Sequence, residues 1–286
     1  MHGVPEDLYM HPQDDPSDRR SISGPARVVM AGEASDIPLQ HRPSHLYHGM
    51  LHPLLDIGCA GVIWYQGENN AMGPGSAEEY SVLLPMLITD WREALGKPSL
   101  PFLIVQIANL DYRVPDWDFP LIRDIQRRAL TLPATGLAVT TDIGDAADIH
   151  PRNKHDVGDR LARWALVDSY GIEDIVKSGP LVRAVRRDRG GIVVEFDTFG
   201  SPIQGEMGSP VGGFQISFSD DQYVDVPAEV SSNQTVRIRI PRGSSSQPKA
   251  VRYGWRPDPV NADLFNREGL PAASFEMSIA SPRVTD

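Results

Sequence analysis

Three short apolar runs constrain this chain more than any other feature. Gly61 to Tyr65 (GVIWY), Phe102 to Ile107 (FLIVQI) and Leu137 to Thr141 (LAVTT) are nearly unbroken. A strand with one wet face alternates at every second residue, so such runs suit strands buried on both faces. Segments of helical period separate them. Ser76 and Glu79 have the spacing of a capping box. The helix they open is expected to bury Tyr80, Leu83, Leu84, Leu87, Trp91 and Leu95, with a kink at Pro85. A second helix carries Ile122, Ile125, Ala129 and Leu132 on one face. A third, Asp156 to Tyr170, carries Val157, Leu161, Trp164 and Ala165. Strands that alternate with helices in this way predict an α/β fold, a parallel sheet between two helical layers.

The period changes near Ser178. Gly191 to Asp197, Gly213 to Ser219, Gln234 to Ile240 and Lys249 to Trp255 read as short strands separated by Gly, Ser and Pro. Val236-Arg237-Ile238-Arg239-Ile240 alternates strictly, which puts one face in a core and the other in water. Ser244 to Ser246 reads as a turn or loop. The expected organisation is an unassigned segment over 1–41, an α/β domain over 42–177 and a smaller antiparallel β module over 178–286. Before the first strand, Leu46 to Ile57 carries a helical stripe interrupted by Pro53, and only Arg27 to Ala31 of the earlier residues looks strand-like.

Two of the apolar runs end in polar clusters. Gly61 to Tyr65 breaks into Gln66-Gly67-Glu68-Asn69-Asn70, and the run ending at Thr141 is followed by DIGDAADIHP, Asp142 to Pro151. Open α/β sheets bind ligands at the carboxyl ends of their strands. Two such clusters therefore predict one shared site.

Composition narrows the chemistry. A net charge of −11 over 286 residues argues against a nucleic-acid partner, whose phosphates need a basic face. No apolar run is long enough to cross a bilayer. The single cysteine, Cys59, cannot form an intrachain disulfide and reads as a buried small hydrophobe. The start, MHGVPEDLYMHP, has neither the basic nor the apolar region of a signal peptide. His41, His45, His48 and His52 recur at three or four residues without an HExxH-type set, so a metal-dependent deacetylase is the weaker reading of this stretch.

PSHLYHGMLHPLL, GVIWYQGENNA, the TDWR of Thr89 to Arg92, DIHPRNKHDVG and RYGWRPDPVNADLFNREGLPAASF occur in this order from about Arg42 to Phe275. Together they resemble sialate O-acetylesterases, acetyl-ester hydrolases of the SGNH type. The resemblance implies an SGNH-hydrolase-like sheet, N-terminally incomplete in this chain, and an acetylated sugar or glycan as substrate, with no metal or organic cofactor. It also implies that relatives are often secreted or periplasmic. One departure is plain. The family's nucleophilic serine lies in a Gly-Gln-Ser-Asn block upstream of the Trp-Tyr-Gln block, and this sequence contains no such block. The chain is therefore expected to correspond to the C-terminal part of the enzyme and to be inactive alone.

Candidate roles follow. Pro151 disfavours helix at His150 and suits the first helical position, which would set His150 at a helix N-terminus as a neutral general base. Asp148, two residues back, is the candidate for orienting the ring. The usual SGNH position, three back, is Ala147, and Asp142, Asp145 or a backbone carbonyl are the other options. By resemblance Gln66 offers its amide to an oxyanion, unless it merely pairs with backbone across the loop. Gly67 would let a substrate or neighbouring backbone approach. Glu68 and Asn70 would bind sugar hydroxyls or knit the loop together. Trp64 reads as core, and Arg123 and Gln126 as ordinary helix-surface residues.

Overall fold

The computed structural model of the protein describes residues 21–23, 27–29, 44–111, 117–188, 191–219, 222–240 and 247–280. Its first part holds a parallel three-stranded sheet in the order β3-β4-β5, formed by Val62–Trp64, Phe102–Gln106 and Thr135–Val139. Two shorter strands, β1 (Ser21–Ser23) and β2 (Arg27–Val29), pair antiparallel with each other as a separate sheet.

Helices cover both faces. Helix α1 (Ser76–Ala94) lies against the face that bears Phe102, whose ring sits 6.2 Å from Trp91 and 6.4 Å from Trp64. Helix α3 (Lys154–Asp168) lies on the other face, where Trp164 packs over Gly136. A Cβ at Gly136 would stand 2.7 Å from that indole, so only glycine admits the tryptophan. Helix α2 (Phe119–Arg128) starts where the Asp118 carboxylate accepts the Leu121 amide. This is the three-layer α/β arrangement that the apolar runs require.

Several local expectations are corrected. The Ser76–Glu79 capping box does not form: Gly75, in the left-handed region, precedes the helix and Ser76 is its first residue. Helix α1 buries Ala77, Tyr80, Leu84, Ile88 and Arg92, while Leu83, Leu87, Trp91 and Leu95 remain half-buried. Arg92 of the TDWR motif explains why a charged residue goes inside. Its guanidinium donates to the Leu100, Pro133 and Ala134 carbonyls just ahead of β4 and β5, aligning the two strand starts. Tyr47–Leu51 and His52–Leu54 form a π turn and a 3-10 turn rather than one helix, as Pro53 anticipates. Cys59 is half-exposed rather than buried.

Strand β3 is not covered on both faces. Ile63 is 69% exposed, and among the described residues β3 pairs only with β4. An apolar strand with one unpaired edge is unusual on a protein surface.

The second part is two antiparallel sheets, β6-β7-β12-β11-β8 and β10-β9-β13-β14. Their strands are β6 Leu181–Asp188, β7 Gly191–Asp197, β8 Pro210–Val211, β9 Phe214–Ser219, β10 Gln222–Asp225, β11 Ala228–Ser232, β12 Thr235–Ile238, β13 Ala250–Tyr253 and β14 Phe275–Ser278. Val236 and Ile238 are buried while Thr235 and Arg237 are half-exposed, the alternation read from sequence. The two sheets enclose a core containing Phe196, Phe214, Ile216, Val236, Ile238, Val251 and Phe275. Ser244 to Ser246 lie outside the described residues.

Candidate active site

The carboxyl ends of β3, β4 and β5 form one edge, and the polar clusters sit there. The Gln66 side-chain amide donates to Asn70 Oδ1 at 2.7 Å, which folds the segment after β3 back on itself. The Gln66 carbonyl accepts from the Tyr80 hydroxyl (3.1 Å) and from Gln126 Nε2 (2.9 Å). Gln126 in turn accepts the Ile107 amide, so one fully buried side chain ties the ends of β3 and β4 together. Asn69–Ala71 is a single 3-10 turn with the half-buried Glu68 at its N-cap.

Gly67 is buried at φ +152°. A Cβ there would meet Ile122 at 2.9 Å, Gln126 at 3.0 Å and Ile107 at 3.1 Å. In the direction a Cβ would take, its neighbours are therefore side chains of α2 and of the residue that follows β4. Trp64 is a core residue, as expected: its indole donates to the Tyr80 hydroxyl and its ring stacks edge-on to Trp91. Burial raises the Tyr80 phenol to about 12, so it stays protonated and can donate to the Gln66 carbonyl.

The second cluster is a turn built from its own aspartates. Asp145 accepts the Ala147 amide, and Asp148 bridges back to Asp145. Asp142 is engaged elsewhere, in a two-pronged pair with Arg160 at 2.6 and 2.7 Å. Arg160 also donates to the Val139 carbonyl, so this pair fixes where the chain leaves β5. Asp148 Oδ1 accepts the His150 backbone amide at 2.8 Å and lies 4.0 Å from His150 Nδ1. That separation exceeds a hydrogen bond. Among the described residues Asp148 is nonetheless the acid at ion-pair distance from this ring, whose side chain is 90% exposed.

His150 does not sit at the helix N-terminus. Asn153 caps α3 by accepting the Asp156 amide, and the helix begins at Lys154. The Asn153 side chain satisfies an orphan N–H, so the helix starts after Asn153 and Pro151 does not take the first helical position. Lys154 Nζ stands 4.6 Å over the Tyr65 ring, bringing the start of α3 against the end of β3. β3 and β5 are separated only by β4, so the strands that lead into the two clusters lie about 10 Å apart. Among the described residues no group of three or more His, Cys, Asp or Glu side chains is arranged to hold a metal ion; His41 lies outside them.

Sequence reading missed Arg123. It is fully buried, as is Gln126. Its guanidinium donates to the carbonyls of Ile107, Ala108, Arg256 and Pro257 at 2.7 to 3.0 Å. Burial lowers its pKa to about 9, opposed by the Asp258 and Asp118 carboxylates. No local signal distinguishes such an arginine, because half of its acceptors lie more than 130 residues away.

Comparison with known proteins agrees with this architecture. Residues 27–166 match the family described as carbohydrate esterase, sialic acid-specific acetylesterase. The mouse sialate O-acetylesterase is 30% identical over 97% of this chain and 54% of its own length. The human sialate O-acetylesterase is 35% identical over 50% of this chain and 30% of its own length. The crystal structure of a carbohydrate acetylesterase from Xanthomonas citri superposes with a TM-score of 0.73 at 39% identity, covering 82% of this chain and 54% of that one. The chain thus spans about half the length, or less, of these relatives. Residues 27–166 thus carry the match to the sialic acid-specific acetylesterase family of carbohydrate esterases, and the sheet and its polar strand ends agree with that likeness.

Proposed function

We propose that the protein is a carboxylic ester hydrolase that removes O-acetyl groups from a sugar, an O-acetylated sialic acid by analogy with the mammalian relatives. The reading rests on Gln66 following β3 and His150 following β5 at one carboxyl edge of a parallel sheet. In this reading a serine attacks the acetyl carbonyl and His150 takes its proton. Asp148 orients the ring. The Gln66 amide has a second N–H beyond the one donated to Asn70, and offers it to the oxyanion alongside backbone amides. Glu68 and Asn70 face the sugar. Water activated by the same histidine then releases acetate.

The serine belongs to a Gly-Gln-Ser-Asn segment N-terminal to residues 1–286, paired along the open edge of β3. Two features support that assignment: the sequence contains no such block, and the apolar edge of β3 is free of a described partner. The test is acetate release from an O-acetylated sialic acid. Residues 1–286 alone should show only background release. Joined to a segment bearing the serine block, they should turn over. His150→Ala should then lower turnover by on the order of 10⁴-fold. Gln66→Ala should lower it by about 10²-fold with little change in KM. Turnover of His150→Ala within tenfold of the parent would remove His150 from the mechanism.

The same lack of a Gly-Gln-Ser-Asn block favours a second reading, a non-catalytic carbohydrate-binding protein. Sugar binding without turnover, even once the serine segment is supplied, would select it.

A further inference from the structure

We infer that the antiparallel β module sets the position of the His150 loop, with Asp258 and Asn109 as positioning residues; this rests on the reading of His150 as the general base. The link is a continuous series of contacts. Arg123 of α2 grips two consecutive carbonyls of the module, Arg256 and Pro257, and its charge is drawn toward the next residue, Asp258. Asp258 Oδ1 accepts from Asn109 Nδ2 at 2.9 Å, and the Pro257 carbonyl accepts the Leu110 amide at 3.2 Å. The segment after β4 is thereby held from the module side.

That segment meets the His150 loop at two points. The Asp111 amide donates to the Ala146 carbonyl at 2.8 Å. Asn109 Oδ1 is buried, without a hydrogen-bond partner, and so close to Gly144 that a Cβ there would lie 2.1 Å from it. Gly144 precedes the Asp145–Asp148 turn and Ala146 lies within it, and Asp148 of that turn accepts the His150 amide. An exposed loop has no packing of its own to fix it to within the fraction of an ångström that proton transfer needs. Its register is set instead by the half-buried Asn109 amide, whose orientation a carboxylate of the β module determines. The module thus acts on the chemistry by holding the base, whether or not it also touches the sugar.

The experiment uses the 286-residue protein and needs no turnover. Amide hydrogen exchange at Leu110 and Asp111 is followed together with tryptic cleavage after the exposed Arg152. Asp258→Ala should speed exchange at both amides and cleavage after Arg152 by about tenfold or more, leaving Ile104 in β4 unchanged. Asp258→Asn keeps an acceptor for Asn109 and should restore most of the protection. Gly144→Ala pushes the loop from the other side and should reproduce the cleavage at Arg152 without altering the module, which covers the case in which Asp258→Ala does not fold. Unchanged exchange and cleavage in both alanine variants would overturn the inference. So would acceleration spread equally to Ile104. A loop that behaves as expected, when His150→Ala keeps full turnover in the protein joined to the serine-bearing segment, would instead sink the esterase reading and leave the anchoring intact.

Discussion

The two halves of the molecule treat their sheet edges in opposite ways. In the antiparallel part the outer strands are short, charged or covered. β8 has two residues and begins at Pro210; β10 exposes Gln222, Val224 and Asp225. β6 carries Arg183 and Arg186, both paired with Glu195, and its margin is joined by Ala280. These are the usual ways of keeping an edge from recruiting another chain. Among the described residues the parallel part has no such protection at β3. Its edge residues are Val62, Ile63 and Trp64, and the segment leading into it exposes Leu46, Met50, Leu54 and Ile57. A charged edge is finished, whereas an apolar edge is a surface on which another strand gains by pairing. Among the described residues, the strand edges of the β module named above are therefore closed and the β3 edge of the α/β part is open.

The largest test of this contrast strikes the side chain that joins the halves. Arg123→Ala leaves buried carbonyls on both sides without a donor, and is expected to cost roughly 3–5 kcal/mol in urea unfolding. Separation into two transitions would show that the halves are held together chiefly through this residue. A loss below about 1 kcal/mol would mean that other contacts carry the seam.

A matched pair of core and edge substitutions probes the contrast more finely. Ile238→Ala, inside the sandwich, should cost roughly 2–5 kcal/mol. Ile63→Ala, on the open edge, should change stability by no more than about 0.5 kcal/mol. Ile63→Lys should in addition reduce self-association in sedimentation measurements. If Ile63→Ala proves as costly as Ile238→Ala, the β3 edge is covered in solution and the contrast fails.

The smallest effect is one of pH. In the α/β part burial, reinforced by Glu93, raises Asp90 to about 6. In the β module hydrogen bonds from Arg186 and from Gln215 lower Glu195 and Asp225, respectively. The signs therefore oppose. Asp90 costs nothing below its unfolded value near 3.8, and its ionisation destabilises increasingly as pH rises through about 6. Glu195 and Asp225 contribute above their unfolded values, and that contribution is lost as pH falls through their lowered folded values. Asp90→Asn should thus raise Tm at pH 7 and leave it unchanged below pH ~4. An equal gain at both pH values would show that the substitution acts through packing instead of charge.

Features that depend on neighbours along the chain were legible without a fold. Unbroken apolar runs separated by helical stripes specify a parallel sheet between helices, and strict alternation at Val236 to Ile240 specifies a half-wet strand, because periodicity records which side of an element meets a core. The polar ends at Gln66 and Asp142 to His150 could be read for the same reason: they interrupt apolar strands where such sheets bind ligands. Partners distant in sequence were settled by the three-dimensional arrangement alone. Arg123 and Gln126 look like surface residues on a helix until carbonyls from the segment just after β4, the Gln66 turn and the 256–257 segment converge on them. Asp142 competes with Asp148 in the sequence, and only the fold assigns it to Arg160. Ile63 reads as buried because its run is apolar, yet its exposure is fixed by whether another strand lies beside β3. A polar side chain goes inside only where its hydrogen bonds are met, and nothing local in the chain tells which distant groups will meet them.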